Sequence, residues 1–487
     1  MRKPKSQTLS LSETSGGDVL CVDLDGTLVR TDTLLEAILR LIKTSPVALF
    51  WIFAWMLRGK AHLKRMVAER VVLDPADLPF DAEVLAFLQA ERAAGCRLVL
   101  ATGADECIAR RIADYLGIFD EVLASDGKTN LTAGRKMRAL TDRFGAQGFR
   151  YAGNSRADLP VWRQASGAIV CGAGSSLPHR LKREGIVTER DFTQPVGKAV
   201  LLAQALRVYQ WPKNLLIWLP QLLSHRIGEP LLWLKGAVAM ISFSFCASAL
   251  YLVNDLLDLT ADRAHPRKCN RPFASGRLDL RVGILLAPLL TASALLMAWL
   301  LSPAYVIVLG IYALASIAYS FVFKEVPLLD VFLLGALYVV RIFAGGAAMG
   351  IRISSWTMGY CMFLFLSLAL LKRYVEILML SANKQTAARG RGYRVVDEPI
   401  LACFGAGAAC VAALLLALYI ESPEVRLLYR HPERLWLLCG IHLYWISRVW
   451  LLANRGEMHH DPVLFALRDR TSYWLGLAAA GIALIAA

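Results

Sequence analysis

The chain has 487 residues, of which 56% are hydrophobic, and its formal net charge is +15. A mean hydropathy of +0.46 argues against an ordinary soluble protein and predicts several helices across a membrane. The ten cysteines show no CxxC and no paired spacing, so neither a disulfide framework nor a zinc site is expected. The apolarity is uneven: the first part of the chain is typical of a soluble α/β domain, and the rest of membrane helices.

Residues 1–17 are basic and polar and lack the apolar core of a signal peptide, so we expect a disordered lead-in. The first predicted strand, Val19 to Val22, is a short apolar run that leads into Asp23-Leu24-Asp25-Gly26-Thr27. A strand that ends in two carboxylates places them at the carboxyl edge of a parallel sheet, where α/β active sites form.

Two further strands are predicted to end in polar residues at the same edge. One covers Arg97 to Ala101 and leads to Thr102-Gly103; the other covers Phe149 to Ala152 and leads to Gly153-Asn154-Ser155, with Asp158 three residues later. Strands that alternate with helical stretches predict a mostly parallel sheet. The helical stretches are Ala82–Ala94, Asp105–Tyr115 and Lys136–Phe144.

In this order, these residues resemble the four motifs of the haloacid dehalogenase (HAD) phosphatase superfamily. The resemblance implies that Asp23 is the nucleophile, which forms an aspartyl-phosphate, and that Asp25 is the general acid and base. It also implies that Thr102 and Lys136 hold the phosphoryl oxygens. The implied magnesium ligands are Asp23, Asp25, Asn154 and Asp158.

One position departs from the HAD pattern, because Asn154 stands where the superfamily usually has an aspartate. An asparagine carbonyl oxygen can still bind Mg²⁺, but it brings one negative charge fewer. Two interpretations stay open: a phosphatase with weaker metal affinity, or a domain of this fold without activity.

An insert between the first two motifs, about residues 30–80, is expected to form a helical cap over the site. Within it, Ser45 to Leu57 (SPVALFWIFAWML) is apolar but too short to cross a bilayer. Lys43 and Arg58 flank this run, and Trp51 and Trp55 suit a headgroup interface. Either the cap dips into the membrane to reach a lipid-linked phosphate, or these side chains fill the core of the cap.

The membrane half follows a polar segment, Gly172 to Gln194, which we interpret as a loop-like linker and domain boundary. Val196 to Trp211 is amphipathic and predicts a helix along the membrane surface. Apolar runs then predict about nine transmembrane helices, near residues 214–224, 231–253, 282–301, 303–323, 328–350, 355–371, 399–420, 435–453 and 472–486.

Charge predicts the orientation of these helices. The loops after predicted helices two, four, six and eight hold more Lys and Arg than the alternate loops, which places them and the N-terminal domain in the cytoplasm and the C-terminus outside. Two of these cytoplasmic loops are the motif loop, Asn254 to Gly276, and the basic loop, Lys372 to Arg394. The basic loop also holds Lys384, Arg389 and Arg391.

The motif loop reads NDLLDLTADRAHPRKCNRPFASG. Asn254, Asp258 and Asp262 stand at i, i+4 and i+8, which predicts one face of a helix, and Asp255 lies beside that face. Oxygen ligands at this spacing favour Mg²⁺, which also binds phosphate oxygens. The basic residues that follow would hold the remaining phosphate charge.

The pattern NDxxDxxxD, followed by HPxK and RP, resembles the UbiA superfamily of intramembrane prenyltransferases. The resemblance implies a nine-helix bundle with a magnesium–diphosphate site at its cytoplasmic mouth and a lateral opening for lipid. The expected fold class is therefore multidomain. It combines a HAD-like α/β domain over residues 18–171, a linker and interfacial helix over 172–212, and an all-α membrane domain over 213–487.

The basic loop distinguishes between branches of the superfamily. Aromatic prenyltransferases carry a second motif, DxxxD, after helix six, but here the single carboxylate Glu376 lies among cations such as Lys372 and Arg373. Such cations suit a donor with more phosphate than a prenyl diphosphate. With Gln210 to Asn214, Tyr319-Ser320 and Asp461-Pro462, the chain resembles the decaprenyl-phosphate phosphoribosyltransferase branch, whose members move 5-phosphoribose from phosphoribosyl diphosphate (PRPP) to a polyprenyl phosphate.

The implied partners are PRPP and a polyprenyl phosphate lipid, with Mg²⁺ as the cofactor and no nucleic acid. The HAD domain would remove the 5-phosphate from the product. Two alternatives stay open: an aromatic prenyltransferase that uses a polyprenyl diphosphate, and a HAD domain that only binds lipid headgroups or regulates the transferase.

Asn254, Asp258 and Asp262 are the predicted catalytic residues of the membrane domain. Asp330 and Arg341 lie in or near an apolar run, where charge is costly and function is expected. Gly345-Gly346 and Gly350 are expected to let helices pack closely. The candidate substrate-binding residues are Lys213, Asn214, His265, Lys268, Arg271, Tyr319, Lys324, Asp330, Arg341, Lys372, Arg373 and Glu376.

Overall fold

The computed structural model describes residues 18–172, 176–193, 197–382, 392–458, 461–466 and 468–486. It divides into two compact units, one made of Met1–Ala205 with Asp255–Ile284 and the other of Leu206–Asn254 with Leu285–Ala487. The predicted lead-in and Lys384, Arg389 and Arg391 of the basic loop lie outside the described residues.

A six-stranded parallel sheet forms the centre of the first unit, in the order β3-β2-β1-β4-β5-β6. The prediction of a parallel α/β domain is therefore confirmed. The strands are β1 Val19–Val22, β2 Arg97–Asp105, β3 Glu121–Ser125, β4 Arg150–Gly153, β5 Gly167–Val170 and β6 Thr188–Asp191.

Successive side chains of β1 point to opposite faces of the sheet, and both faces are buried. Leu20 and Val22 pack in one hydrophobic cluster, whereas Val19 and Cys21 pack in another. Burial on both faces explains why this strand is a continuous apolar run rather than an alternating one.

Eight helices of the first unit pack on or beside the sheet, and three of them form the insert between the first two HAD motifs. Aspartates cap several N-termini; the Asp32 carboxylate, for example, accepts from the Leu35 amide at 3.1 Å. The helices are α1 Thr33–Thr44, α2 Ala48–Leu57, α3 Lys60–Arg70, α4 Ala82–Ala93, α5 Glu106–Leu116, α6 Gly134–Phe144, α7 Leu159–Trp162 and α8 Ser176–Arg183.

The interpretation of residues 172–194 as a loop-like linker is wrong, because α8 and β6 lie within it and β6 pairs with β5. The single surface helix expected over Val196 to Trp211 is also wrong. Helix α9, Lys198–Ala205, ends before Arg207, which adopts a left-handed backbone (φ 51°), and a 3-10 segment, Val208–Trp218, follows. The domain boundaries themselves stay a prediction.

Long apolar helices dominate the remainder of the chain. They and the shorter helices between them are α10 Leu219–Leu223, α11 Pro230–Leu257, α12 Leu259–Arg263, α13 Leu280–Leu301, α14 Pro303–Phe321, α15 Leu329–Met349, α16 Ser355–Ala382, α17 Glu398–Ile420, α18 Pro423–Leu428, α19 Trp436–Asn454, α20 Pro462–Ala466 and α21 Arg470–Ala486.

Six helical segments among the described residues are long and apolar enough to cross a membrane. An integral membrane protein is therefore confirmed, whereas nine spans are not. The predicted span at 214–224 is split between the 3-10 segment and the five-residue α10, and α21 has only 17 residues. The six segments are Pro230–Leu257, Leu280–Leu301, Pro303–Phe321, Leu329–Met349, Val395–Ile420 and Pro432–Asn454.

One of the three glycines expected to allow close packing does so: a Cβ atom on Gly345 would lie 1.9 Å from the Ile217 carbonyl oxygen. A Cβ atom on Gly346 would lie 2.8 Å from the Ile351 carbonyl oxygen, in the turn that follows its own helix. The expectation is wrong for Gly350, because a Cβ atom there would meet no atom within 4 Å. Gly350 instead ends α15 with a left-handed backbone, φ 68°.

Candidate functional site

The HAD motifs meet at the carboxyl edge of the sheet. The Lys136 ammonium, from α6, lies 2.9 Å from Asp23 Oδ1 and 3.8 Å from Asp158 Oδ1. Lys136 also donates to the Tyr151 hydroxyl at 2.9 Å, and this hydroxyl donates to Asp158 at 2.9 Å. Burial raises the pKa of Asp23, Lys136 opposes that rise, and the Asp158 charge adds to it.

Asp25, two residues beyond Asp23, is held by the first turn of α1. Its Oδ1 accepts from the Thr33 amide at 2.8 Å. Burial, and after it the charge of Asp32, raise the pKa of Asp25 to about 7. A carboxyl group that gains and loses a proton near neutral pH suits general acid and base chemistry.

The oxygen-rich fourth motif, Gly153 to Asp158, fits a magnesium site. Asp158 Oδ2 accepts from the amides of Asn154 (3.3 Å) and Ser155 (3.0 Å) and from the Ser155 hydroxyl (2.9 Å). Gly26 has φ 73°, and a Cβ atom there would lie 1.9 Å from Asn154 Nδ2. Asn154 therefore lies against the DxDGT turn, where an aspartate would have placed a second charge.

The second HAD motif involves a residue that sequence reasoning missed. Thr102 is fully buried, and its hydroxyl accepts from the Ala104 amide at 3.0 Å. Lys64, from α3 of the insert, donates to the adjacent Gly103 carbonyl at 2.5 Å and to Asn130 Oδ1 at 2.7 Å. Burial lowers the pKa of Lys64. Lys64 belongs to no sequence motif, so no signal in the sequence indicated that it lies in the site.

The acidic residues of the motif loop do not lie on one uninterrupted helix. Helix α11 ends at Leu257 and α12 begins at Leu259, so Asp258 lies at the break, although the Asp262 amide still donates to its carbonyl at 2.8 Å. The prediction of a single helical face is therefore wrong at Asp258. The i, i+4 spacing from Asp258 to Asp262 nevertheless remains one helical turn.

Cations neutralise these carboxylates. The Arg271 guanidinium lies 3.0 Å from Asp255 and 2.7 Å from Asp262, both buried, and the Lys43 ammonium lies 2.6 Å from Asp258. Three carboxylates that already attract cations, and that offer only oxygen atoms, fit a magnesium–phosphate site.

His265 and Lys268 lie on the exposed side of the motif loop. His265 Nδ1 accepts from the amides of Arg267 at 3.2 Å and Lys268 at 3.4 Å, which fixes the ring within its own turn. The Lys268 side chain is exposed. Their predicted roles in substrate binding stay predictions.

In the second unit, the structure brings Lys213 and Lys372 to one carboxylate. Asp461 Oδ2 lies 2.8 Å from the Lys213 ammonium and 3.2 Å from the Lys372 ammonium. The Tyr338 hydroxyl donates to Asp461 Oδ1 at 3.2 Å. The sequence analysis identified Asp461 as part of a branch motif but did not predict it as a site residue, because nothing in the spacing links it to Lys213.

A second polar group of this unit surrounds Arg341. The guanidinium donates to Asn214 Oδ1 at 2.9 Å and to the Leu337 carbonyl. Asn214 Nδ2 in turn donates to the Ser244 hydroxyl at 2.8 Å. Arg341 thus has hydrogen-bond partners inside the bundle. A structural role would explain its burial just as well as a catalytic role would.

Arg373 forms a third group around a fully buried ion pair. It lies 2.5 Å from Asp330, with the two side chains 1% and 0% exposed. Arg373 also pairs with Glu376 at 2.6 Å and donates to the Tyr319 hydroxyl at 2.8 Å. The Tyr393 hydroxyl donates to the other Asp330 oxygen at 2.5 Å. Four predicted residues of the site therefore belong to one network.

Two other predicted residues lie apart from these networks. Asn254 Nδ2 donates to the Ser320 hydroxyl at 2.8 Å, which leaves its carbonyl oxygen available as a ligand. Lys324 lies in a 3-10 turn, Phe323–Glu325, between α14 and α15 and is partly buried.

Two family models match this chain. The UbiA prenyltransferase family model covers residues 217–476, more than half of the chain, and a haloacid dehalogenase-like hydrolase model covers residues 20–163. The chain belongs to the UbiA prenyltransferase family. Its N-terminal part is a HAD-like domain, so both predicted resemblances are confirmed.

Relatives of this UbiA-family chain differ in how much of it they share. The uncharacterized protein y4nM of Sinorhizobium fredii is 36% identical over 459 residues, which is 94% of this chain and 89% of its own length. The nodulation protein NoeC of Azorhizobium caulinodans is 32% identical over 280 residues, 56% of this chain and 90% of its own. A decaprenyl-phosphate phosphoribosyltransferase of Corynebacterium glutamicum is 36% identical over 201 residues, 40% of this chain and 60% of its own.

The buried Asp330–Arg373 pair predicts a large stability effect. We expect Asp330→Ala to destabilise the second unit by about 3 kcal/mol, because it removes one partner of a desolvated ion pair. Thermal unfolding of the full chain in detergent, followed by size-exclusion chromatography, measures the change. The exposed Arg226–Glu229 pair gives a control, and Glu229→Ala should leave the melting curve nearly unchanged. Equal curves for the two variants would contradict the prediction.

Proposed function

We propose that the membrane domain transfers 5-phosphoribose from PRPP to a polyprenyl phosphate and that the HAD domain then removes the 5-phosphate. The observation that carries the proposal is the cationic pair Lys372 and Arg373, which stands where a second acidic motif would serve an aromatic prenyltransferase. Lys213 lies on the same carboxylate as Lys372. Guanidinium and ammonium groups match a donor with a phosphate besides its diphosphate. The relatives named decaprenyl-phosphate phosphoribosyltransferase support the same substrates.

In the proposed transfer, a lipid phosphate oxygen forms a bond to ribose C1 as the bond from C1 to the diphosphate oxygen breaks. The diphosphate leaves with the bonding electrons, and positive charge develops at C1. Asn254, Asp258 and Asp262, with Asp255 beside them, would hold Mg²⁺. When bound, the ion would neutralise the departing diphosphate. Arg271 already bridges two of these carboxylates and would turn toward phosphate oxygens.

In the proposed phosphatase step, a carboxylate oxygen of Asp23 bonds to phosphorus and the bond from phosphorus to the ribose O5 breaks. Asp25 gives its proton to O5, and then takes a proton from the water that hydrolyses the aspartyl-phosphate. Inorganic phosphate and a polyprenylphosphoryl ribose are the products. Lys136, 2.9 Å from Asp23, would bind the phosphoryl oxygens, and Asp158 and Asn154 would contribute to a magnesium site.

A different observation favours a second candidate for the HAD domain. Asn154 lies against the DxDGT turn and supplies no charge, which suits a domain that binds phosphorylated headgroups without hydrolysing them. In that case the membrane domain would act alone, with PRPP or, as an alternative donor, a polyprenyl diphosphate.

We propose a cytoplasmic location for the HAD domain and an exterior C-terminus from the distribution of positive charge.

Asp258→Asn should abolish transfer to lipid, because it removes a charged ligand of the proposed magnesium site. Purified full-length protein is incubated with Mg²⁺, PRPP labelled in the ribose ring and a polyprenyl phosphate, and label in the organic phase is counted. Asp279→Asn, an acidic change elsewhere in the same unit, is the control and should retain transfer. Label that stays aqueous with the parent protein, while an aromatic acid becomes prenylated, would support the polyprenyl diphosphate donor instead.

Asp23→Asn should stop the release of the 5-phosphate without slowing the labelling of lipid. The reason is that an amide cannot form the aspartyl-phosphate, whereas transfer uses other residues. Mass spectrometry of the lipid product distinguishes phosphoribosyl from ribosyl, and Asp126→Asn, at an exposed turn, serves as the matched control. A parent product that keeps its 5-phosphate would favour the non-catalytic HAD module.

We also propose that α2 of the insert binds the bilayer. Phe50, Trp51, Phe53 and Leu57 are 78%, 59%, 65% and 77% exposed. Because the chain is an integral membrane protein, a bilayer is always near, and Arg58, directly after the helix, carries a charge that suits anionic headgroups. The alternative, that these side chains form the core of the cap, holds for another residue of the helix.

Trp55 is that residue. It is 7% exposed, and the Arg70 guanidinium lies over its ring, 4.6 Å from the centroid. The expectation that Trp55 faces the headgroups is therefore wrong, whereas that for Trp51 stays a prediction.

Phe50→Ser with Phe53→Ser should slow dephosphorylation of the lipid-linked substrate and leave hydrolysis of a small soluble phosphate ester unchanged. Both rates are measured with full-length protein in nanodiscs that contain anionic lipid. Photoactivatable phospholipids should label residues 48–57 in the parent and much less in the double variant. Val72→Ser, which changes an apolar residue 64% exposed elsewhere in the unit, is the control. Unaltered lipid labelling in the double variant argues against membrane contact.

A further inference from the structure

Helix α1 of the HAD insert is joined to the motif loop and its continuation, all within the first unit, by three ion pairs. The Lys43–Asp258 pair brings a residue of the HAD domain to a predicted catalytic residue of the transferase, 215 positions later in the chain. In order along α1, the pairs are Asp32–Arg281 at 2.7 Å, Glu36–Arg263 at 2.5 Å and Lys43–Asp258 at 2.6 Å.

The middle pair fixes this arrangement. The Glu36 and Arg263 side chains are 6% and 11% exposed, and Arg263 also donates to the carbonyls of Asp77 at 3.0 Å and Ala274 at 2.9 Å. Its guanidinium is therefore well satisfied, as a buried charge requires. Gly276 packs so closely on Arg30 that a Cβ atom would lie 2.5 Å from the Arg30 Cβ. The contact is specific rather than a chance approach of two charged surfaces.

The Lys43–Asp258 pair differs from the middle pair. Lys43 and Asp258 are 40% and 33% exposed, so water and ions reach both groups. A divalent cation on Asp258 would compete with the ammonium for the carboxylate oxygens. A diphosphate oxygen bound to that cation would then lie within reach of a lysine held 2.6 Å from the same carboxylate, since the lysine side chain has four rotatable bonds.

We propose that Lys43 is a diphosphate-binding residue that the HAD domain contributes to the motif loop. It neutralises Asp258 when no divalent cation is bound and binds a diphosphate oxygen when one is. The proposal rests on the proposed function in one respect, that a diphosphate leaves from this loop. It does not depend on whether phosphoribose or a prenyl group is transferred.

The test measures two affinities of the full-length protein in nanodiscs, for the parent and for Lys43→Met. Mn²⁺ alone, followed by electron paramagnetic resonance, should bind a few-fold more tightly to the variant, because a competing exposed cation is gone. Inorganic diphosphate, titrated in the presence of Mn²⁺, should bind the variant about tenfold more weakly, because a charge-assisted hydrogen bond is lost. Changes of opposite sign distinguish a shared ligand from a residue that only supports the fold, whose loss would weaken both.

Four further proteins complete the experiment. Lys60→Met removes an equal charge from the same insert and should change neither affinity, and Lys43→Arg should restore diphosphate binding. Asp258→Asn identifies the Mn²⁺ signal that belongs to the loop rather than to the HAD site. Arg281→Gln, which removes a different pair of α1, should leave diphosphate affinity within about twofold. Hydrogen exchange of residues 255–284 checks that the loop keeps its structure in each variant.

Parent-like diphosphate affinity in Lys43→Met, or a fall in both affinities, would overturn the proposal. Failure of the proposed function looks different. If PRPP donates no label to lipid but diphosphate binding still depends on Lys43, the phosphoribosyl donor is wrong and the role of Lys43 stands.

Discussion

Pairing of a buried carboxylate with a cation from a distant part of the chain is the interaction on which both units depend. Asp23 is matched by Lys136, Glu36 by Arg263 and Asp330 by Arg373. Taking such charges out of water is costly, and removing one partner leaves the other buried and unmatched. The pairs therefore hold separate elements in one arrangement: strand to helix in the HAD domain, insert to motif loop, and α15 to α16 in the second unit.

The same pairing makes these groups suitable for phosphate chemistry. In each pair, a divalent cation can replace the basic side chain beside the carboxylate, and a phosphate can replace the carboxylate beside the basic side chain. Lys136 next to Asp23, and Arg271 between Asp255 and Asp262, are cations held beside the carboxylates that a metal would bind. An incoming metal–phosphate pair can exchange partners with such an ion pair with little new charge to bury. The donor groups are thereby ordered before a substrate arrives.

The sequence predicted three strands that are buried on both faces, but it missed β5, which is buried in the same way, and the less buried β3. Strands β1, β2 and β4 are apolar runs ahead of polar motifs, and the long helices are continuous apolar segments. It failed at β6, whose sequence TERD is mostly exposed at the sheet edge and has no hydrophobic signal. It also failed near Pro212, where the backbone turns at Arg207 and continues as a 3-10 segment. Local propensity does not determine such features, because contacts elsewhere do.

The candidate site divides in the same way. Asp23 and Asp25 were recognisable because they follow a predicted strand that ends at the edge of the sheet. Lys136, which lies in α6, was recognisable through the resemblance to HAD phosphatases. Lys43, Lys64 and Asp461 were not recognised as site residues, because their partners lie far away in sequence and no spacing rule connects them. Contacts of this kind depend on the packing of whole elements, which a single sequence does not report.

The first unit is discontinuous, since residues 255–284 complete it after an apolar helix has been made. Glu36 is synthesised before its partner Arg263, which is 227 residues later in the chain. At synthesis rates of about 5–20 residues per second, the interval between the synthesis of the two residues is on the order of 10–45 s. During that interval the insert carries an acidic side chain without its final partner. The ion pair between α1 and the motif loop can therefore form only after the apolar helix that precedes the motif loop has been synthesised.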